Sequence, residues 1–291
     1  MVRQLKNMLN LLVLGMFLFV SPVYAVMYGV TNGGVSNETE GIGGGELVSI
    51  DLATGSGTVI GILPESMTEA VYDVINDRLY AQGSNGSFQL YEIDPTDGSQ
   101  ISVVPTTGAY NGMEFVDGTL YASVITGPGG PADLATVDPA TGTATIIGPT
   151  GFNAVTGLAY DSASGTMYGS LGGGDAASGS IVTINMATGA ATIVGPTGYD
   201  KVGSIEFGSD GNLYGGLTAN DSTAPGSLIL VNPSTGAATV VVNTAYSFTG
   251  LAESAPGSGA QVSVPTLSQW ALIMLSMLLG LMVFANRKRL F

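Results

Sequence analysis

The sequence predicts an all-β fold: a five-bladed β-propeller closed by pairing of the C-terminal strand with the N-terminal blade, together with an N-terminal signal helix and a C-terminal transmembrane helix. Three observations predict the propeller. A nine-residue unit recurs five times, with starts 43, 44, 47 and 47 residues apart. Short strand-like runs fill each interval, and one extra run follows the last repeat. Repeats of this length that carry strand patterns are typical of propellers.

The nine-residue unit reads Leu-Val-Ser-Ile-Asp-Leu-Ala-Thr-Gly at residues 47–55. Its fifth residue is always Asp or Asn, and its ninth is always Gly. The fifth residues are Asp51, Asp94, Asp138, Asn185 and Asn232. An Asp or Asn side chain opens a turn by accepting from the nearby backbone, and Gly supplies the positive φ that ends it. We therefore expect a hairpin turn here, between the third and fourth strands of each blade.

A second unit carries one tyrosine per repeat, at Tyr28, Tyr80, Tyr121, Tyr168 and Tyr214. We place these tyrosines on second strands, where both faces of the sheet pack against neighbouring blades. In the fourth repeat the apolar runs predict strands at 156–160, 166–170, 180–185 and 191–195. Four antiparallel strands per repeat make one propeller blade.

The ends of the repeat region predict how the ring closes. The first repeat begins at Met27 with a second strand, and residues 248–253 form an extra first strand that matches 155–160. Pairing these two segments would complete a shared blade and remove two exposed sheet edges. The alternative is an open array. The predicted domains are a signal peptide (1–25), the propeller (26–254), a flexible linker (255–263) and a C-terminal sorting segment (264–291).

Composition excludes several functions. Between residues 26 and 263 the chain has 22 acidic residues and two cations, a net charge of −20. Such a surface argues against nucleic acid and anionic lipid as partners. The chain contains no Cys and no His, which excludes Ser-His-Asp hydrolysis, His-ligated zinc and thiol chemistry.

The N-terminus predicts export. Arg3 and Lys6 precede an apolar run at 8–20, and Val23-Tyr24-Ala25 follows as a cleavage site. This order is typical of a secretory signal peptide, with cleavage after Ala25. An uncleaved N-terminal anchor is the alternative.

The C-terminus predicts a membrane segment. Residues 267–285 form an uncharged stretch of 19 residues, followed by Arg287, Lys288 and Arg289. As a helix this stretch spans roughly 28 Å, close to the ~30 Å hydrocarbon core. The basic cluster is the membrane stop and stays cytoplasmic, so the chain before Val264 lies outside. A plain single-pass anchor without processing is the alternative.

The segment ahead of this helix resembles the IPTL-type sorting signal of Gram-negative bacteria. The motif residues are Val264, Pro265, Thr266, Leu267, Ser268, Gln269 and Trp270. Val264 stands in place of the family's Ile and Gln269 in place of its Glu. The resemblance fits the same export route as the signal peptide, in which the secretion translocon moves the chain across the inner membrane and signal peptidase removes the leader. It also implies an anchored precursor that an exosortase-like membrane transpeptidase cuts near Pro265-Thr266-Leu267 and passes to the cell surface or medium. The repeats look like those of secreted bacterial propellers, a resemblance that implies architecture and no chemistry.

Two regions are candidate sites. We call the face that carries the loops between second and third strands and between blades the variable face, because those loops differ in length. It holds Glu65, Asp133, Asp175, Asp200 and Asp221, and the aromatic residues Tyr110, Phe152, Tyr199 and Tyr246. These groups would suit a glycan or a calcium ion. The alternative is solvated loops with aromatic side chains filling the seams between blades.

The second candidate is an axial pair of carboxylates. Glu114 and Glu206 occupy equivalent first-strand positions, where the other repeats have Val71, Ala159 and Ala252. Paired carboxylates are what glycoside hydrolysis needs. The alternative is that each Glu meets solvent in a water-filled channel or accepts hydrogen bonds from backbone N–H groups. Overall we expect a non-enzymatic binding or structural module without a cofactor. The alternatives are a carbohydrate-binding surface protein or adhesin, or a carboxylate-dependent glycoside hydrolase.

Overall fold

The computed structural model describes residues 25–31, 45–52, 54–84, 88–125, 131–244 and 246–255. The chain separates into two compact units, Met1–Gly259 and Ala260–Phe291, and every described residue belongs to the first. The signal peptide ahead of Ala25 and the sorting segment 264–291 lie outside the described residues. Within the described part no helix is long and apolar enough to cross a membrane. The predicted signal helix and transmembrane helix therefore stay predictions.

The described residues form twenty strands. The first ten are β1 (Met27–Thr31), β2 (Glu46–Ile50), β3 (Gly57–Ile62), β4 (Met67–Asp73), β5 (Arg78–Gly83), β6 (Gln89–Ile93), β7 (Gln100–Pro105), β8 (Ala109–Val116), β9 (Thr119–Ile125) and β10 (Asp133–Asp138). The second ten are β11 (Thr143–Pro149), β12 (Val155–Asp161), β13 (Thr166–Leu171), β14 (Ser180–Ile184), β15 (Ala191–Pro196), β16 (Val202–Phe207), β17 (Leu213–Leu217), β18 (Ser227–Val231), β19 (Ala238–Asn243) and β20 (Phe248–Glu253).

These strands form five antiparallel sheets of four strands, which confirms the predicted five-bladed propeller. Blade 1 has the order β20-β1-β2-β3, and blades 2 to 5 are β4–β7, β8–β11, β12–β15 and β16–β19. In blade 1, Met27 lies opposite Glu253 and Tyr28 opposite Ala252. The last strand of the chain therefore completes the first blade, as the sequence predicts.

The fourth repeat shows how closely the strand prediction matches. Its strands lie within one residue of the predicted bounds at each end. Each Asp or Asn of the nine-residue unit caps a turn, as expected. In blade 3, Gly142 N donates to Asp138 O (2.8 Å) and Ala140 N donates to Asp138 Oδ1 (3.0 Å). Asn185 and Gly189 repeat this pattern in blade 4.

The hydrophobic core lies in the seams between blades. Apolar side chains from the facing sheets form five clusters, and each cluster contains one of the repeated tyrosines. Tyr28 of blade 1, for example, stacks on Tyr72 of blade 2 with ring centroids 5.9 Å apart. The tyrosines are therefore packing residues, as expected.

The turn glycines have a second role that φ alone does not explain. A Cβ added to Gly142 would overlap the Pro105 carbonyl, and one added to Gly189 would overlap the Gly148 carbonyl. In both cases the glycine belongs to one blade and the carbonyl to the fourth strand of the preceding blade. Gly236 meets the Gly195 carbonyl in the same way, whereas a Cβ on Gly98 would lie 3.2 Å from the Gly61 carbonyl carbon and one on Gly55 would overlap the Val242 side chain. All five seams thus bring a turn glycine against the outer strand of the neighbouring blade.

Two glycine substitutions separate these roles. Gly189 and Gly211 have nearly the same positive φ (80° and 78°), but nothing lies within 4 Å of a Cβ added to Gly211. Both Gly189→Ala and Gly211→Ala must bear the cost of a left-handed L-residue, about 1–2 kcal/mol. Only Gly189→Ala also forces a seam apart, so its free energy of unfolding should fall by about 1–3 kcal/mol more. Equal losses in denaturant titrations would contradict this role.

Candidate functional site

The structure confirms that Glu114 and Glu206 occupy equivalent positions on first strands. Each lies opposite the repeated tyrosine of its blade, with Glu114 paired to Tyr121 and Glu206 to Tyr214. The apolar residues of the other blades hold the same register, opposite Tyr80, Tyr168 and Tyr28. First strands line the axis of the ring, so both carboxylates lie near it.

Burial disfavours the charged form of both axial carboxyls. Desolvation raises the pKa of Glu114 well above its usual range. Desolvation also raises the pKa of Glu206, and the negative charges of Glu114, Glu253 and Glu69 add to that rise. Part of each side chain remains accessible although both lie deep in the molecule. We take the accessible part to face the space enclosed by the five first strands.

Two carboxylates that the sequence analysis did not single out belong to the same electrostatic group. Glu69 is 2% exposed, and burial together with the charge of Glu114 raises its pKa well above the ordinary value. Glu253 ends β20, and burial raises its pKa too. A signal for Glu69 exists in the sequence: it lies two residues before Val71, on the same side of the strand, where other first strands have Gly or Ser.

Backbone packing narrows the axis toward the variable face. A Cβ on Gly112 would lie 2.9 Å from the Gly157 carbonyl carbon, and one on Gly157 would lie 2.6 Å from Ile205 N. Hydroxyls bridge neighbouring first strands at the same level: Thr156 Oγ1 donates to Val202 O (2.9 Å) and Thr249 Oγ1 to Met67 O (2.8 Å). Glu114 and Glu206 lie two residues further along their strands, on the opposite side of this constriction from the variable face.

Several buried polar atoms near the axis lack a hydrogen-bond partner among the described residues. They are Glu69 Oε2, Gln82 Oε1, Glu114 Oε2, Ser123 Oγ and Ser204 Oγ. A protonated carboxyl is a donor as well as an acceptor, so such a group is better tolerated neutral than charged. In the described part of the chain no three acidic side chains are grouped so as to hold a metal ion. The calcium alternative therefore gains no geometric support.

On the variable face, aspartates brace loops. Asp175 accepts from Asn153 N and Ala154 N, both at 3.0 Å, and so ties the β13–β14 loop to the loop between blades 3 and 4. Asp221 does the same one blade later, accepting from Asp200 N (3.0 Å) and Lys201 N (3.2 Å). Burial alone would raise the pKa of Asp221, but donors including Ala224 N and Thr223 N hold it below its usual range.

The aromatic residues of this face fill seams, which was the alternative to a glycan platform. Phe152, Tyr199 and Tyr246 are half-buried against the clusters between blades. Tyr110 corrects the prediction, because it lies within β8 and not in a loop. It is fully buried, and its hydroxyl donates to Gly142 O (2.6 Å) across the seam.

A cavity of about 670 Å³ opens on the opposite face, where the hairpin turns of the blades lie. We call this the hairpin face. The cavity lies at the seam between blades 1 and 5 and is lined by residues that include Ala25, Asp51, Asp210, Tyr214 and Glu253. Glu114 and Glu206 are not among its lining residues. Sequence reasoning missed it because blade 1 is built from both ends of the chain.

Comparison with known families identifies the C-terminal segment. Residues 262–289 match the IPTL-CTERM motif. The chain carries this sorting signal. The match confirms the predicted resemblance, implies a processing partner, and indicates that the propeller is exported and associated with the surface. It covers the segment outside the described residues, so the structure adds nothing about its conformation.

Solved structures share the fold of the described unit. One is a chain of the crystal structure of a nidogen/laminin complex, with 13% identity, a TM-score of 0.50, and coverage of 81% of this chain and 99% of that chain. Another is a structural genomics protein of unknown function from Bacteroides thetaiotaomicron, with 14% identity, a TM-score of 0.47, and coverage of 77% and 60%. No curated protein matches the sequence significantly. Likeness at this level of identity shows the fold alone.

The axial carboxyls predict an unusual pH dependence. Their pKa values in the folded protein exceed those in the unfolded chain, so between the two values the folded state holds more protons. The contribution of these carboxyls to stability is therefore present in full below the unfolded value of about 4 and falls as pH rises toward their folded values, by about 1.4 kcal/mol per pH unit for each extra proton held. This pH range lies above the one in which Asp161 titrates. Hydrogen bonds from Ser164 lower the pKa of Asp161 and outweigh a small effect of desolvation.

Glu206→Gln tests this prediction, because Gln resembles the protonated carboxyl. The variant should be more stable than the native protein at pH 8, with a smaller loss of Tm between pH 5 and pH 8. Asp117→Asn, at an exposed turn, controls for removing one surface charge. Native and Glu206→Gln melting curves with the same pH dependence would show that this carboxyl is ionised in the folded protein.

Proposed function

We propose that the protein is a non-enzymatic structural and binding module of the cell surface, whose copies associate side by side through the outer rim of the propeller. The observation that carries this proposal is the chemistry of the outermost strands. The fourth strands of the blades, β3, β7, β11, β15 and β19, contain no charged residue. The propeller that carries them, residues 26–254, has a net charge of −20.

The rim also carries apolar side chains at equivalent positions. Val59, Ile146, Ile193 and Val240 are 37–48% exposed, although β-branched apolar residues usually lie inside. They hold the same register opposite the third strands, and half-buried Val103 occupies this position in blade 2. The rim therefore repeats one apolar contact around the ring.

An outermost strand has one row of unpaired backbone N–H and C=O groups, which can pair with another strand edge. Two copies of this protein repel each other through their acidic loops, and the uncharged rim is where that repulsion is weakest. A β-bulge in each outer pair and the prolines that end β7, β11 and β15 limit the length of any such pairing. A single contact between two rims would be weak. Many copies displayed on one surface would make several such contacts at once and so associate more strongly.

The proposed absence of catalysis is supported by the state of the acids. Inverting and retaining glycosidases alike need one protonated and one ionised carboxyl with substrate between them. Here burial favours the neutral form of both Glu114 and Glu206, and the axis is constricted toward the variable face. Under the hydrolase alternative, the native protein would hydrolyse polysaccharides, and Glu114→Gln would abolish that activity. The glycan-binding alternative requires binding that depends on the variable face.

The finer steps of sorting also belong to this proposal. The organism is a Gram-negative bacterium, the precursor spans the inner membrane, and an exosortase-like transpeptidase removes the tail. The polar motif at 264–270, the apolar stretch and the basic stop support this order of events.

Rim association is tested by adding charge to the rim. The double variant Ile146→Lys, Ile193→Lys should keep its Tm, because both side chains are exposed, and should lose concentration-dependent self-association in sedimentation velocity. Ile75→Lys is the matched control: Ile75 is 66% exposed but lies in the β4–β5 turn, away from the rim. A native unit that stays monomeric at high concentration, or a double variant that associates like the control, would contradict the proposal.

Sorting is tested at the motif. Pro265→Ala should leave export intact and block removal of the tail, so that the protein accumulates in the inner membrane with Arg287, Lys288 and Arg289 still attached. Mass spectrometry of the C-terminal peptide in membrane and surface fractions distinguishes the two forms. Native surface protein that retains the basic tail would show that the segment is a plain anchor.

A further inference from the structure

The start of β1 is held in place by the end of β20. Val26 N donates to Ser254 Oγ (2.9 Å), and Ser254 N donates to Val26 O (3.0 Å). Ser254 is 3% exposed, so these bonds are shielded from water. The backbone nitrogen that follows the predicted signal cleavage site therefore has a fixed position in the folded unit.

That position adjoins the hairpin-face cavity, whose wall includes Ala25 and three carboxylates, Asp51, Asp210 and Glu253. Glu253 Oε1 is buried without a hydrogen-bond partner. Burial raises the pKa of Glu253, although hydrogen bonds from Ser209 oppose the rise, and the charge of Asp210 adds to it. Both findings indicate that the carboxyl of Glu253 has no compensating cation among the described residues.

No side chain among the described residues supplies that cation. The cations of this part of the chain are Arg78 and Lys201, and neither lines the cavity. Arg78 is ion-paired with Glu92 in blade 2. Lys201 follows the β15–β16 loop on the variable face, where its backbone N donates to Asp221.

We propose that the cavity is the seat of the α-ammonium group that signal-peptide cleavage creates at Val26, and that this ammonium locks the ring closed. A signal peptidase hydrolyses the Ala25–Val26 bond: the water oxygen goes to the Ala25 carbonyl carbon, and the amine of Val26 leaves with a proton. At neutral pH that amine takes up a second proton and becomes a cation. Departure of Ala25 frees part of the cavity for it.

Cleavage changes what the nitrogen of Val26 offers. As an amide it has one N–H, which Ser254 accepts. As an ammonium it has three, so it keeps the Ser254 bond and gains two charge-assisted donors for the acidic wall. Glu253 is the last residue of β20, immediately before Ser254, and brings its unpartnered oxygen. The new ion pair joins the first residue of the mature chain to the closing strand.

The lock has a definite dependence on pH. An ammonium that gains a carboxylate partner has a raised pKa in the folded protein. Its contribution is present in full below the unfolded value of about 8 and is lost as pH rises through the folded value. The other titratable groups of the wall are Asp51, Asp210, Glu253 and Tyr214. Tyr214 stays neutral to pH 10, since burial and Asp210 raise its pKa to about 12.

The experiment compares two forms of the chain lacking the leader and the sorting segment, since all five cores lie within residues 26–255. One form begins at Val26, and the other keeps residues 23–25 ahead of it. At pH 7 the form that begins at Val26 should melt about 2–4 °C higher, as expected for one partly buried ion pair in a domain of this size. The difference should vanish by pH 10.

Glu253→Gln in both forms completes the comparison. It should remove the difference in Tm, whereas Asp117→Asn should preserve it. The rate of α-amine labelling as a function of pH supplies a second measurement that does not depend on how Glu253→Gln folds: the α-amino pKa should exceed about 8 in the form that begins at Val26. Equal melting curves with an ordinary α-amino pKa would overturn the proposal. So would exported protein whose first residue is not Val26. Neither outcome bears on rim association, which involves other residues.

Discussion

The fold depends on the pairing of β20 with β1. Every other blade is built from consecutive strands, so its hairpins are local in sequence. Blade 1 is the exception, because Val26 bonds to a residue 228 positions away. Without β20, Phe248 and Leu251 would leave the cluster that joins blade 1 to blade 5, and β1 would become an open edge. The seams then depend on close backbone approach, which the glycine of each turn permits.

The axis shows what a closed ring of first strands requires. Three first strands have Gly where β4 has Glu69 and β16 has Ser204, so neighbouring strands can touch. The space that remains at the axis contains acidic side chains, and further acidic side chains of the ring lie around them. Burial and mutual repulsion both favour the protonated form of these carboxyls. Their contribution to stability therefore falls as pH rises. The loop aspartates behave in the opposite way, because backbone donors hold Asp221 ionised.

Much of the architecture could be predicted because the repeat is regular in its turns. An Asp or Asn followed four residues later by Gly marks one hairpin per blade, and the tyrosine marks the neighbouring strand. The axial placement of Glu114 and Glu206 followed from that register. The hairpin-face cavity could not be predicted in this way, since residues from both ends of the chain and one turn of blade 5 line it. Tyr110 was misplaced because the loop between blades 2 and 3 is shorter than its composition suggests.

The shared blade also sets an order of events during secretion. In the proposed export through an N-terminal signal peptide the chain emerges from its N-terminus, and blades 2 to 5 can each form as their own residues emerge. Blade 1 must wait, since its innermost strand is almost the last part of the unit to cross. The toroid is therefore completed only when β20 has emerged. The sorting motif begins 11 residues after the end of β20, at Val264. Assembly of the ring and presentation of that motif thus fall at the same stage of export.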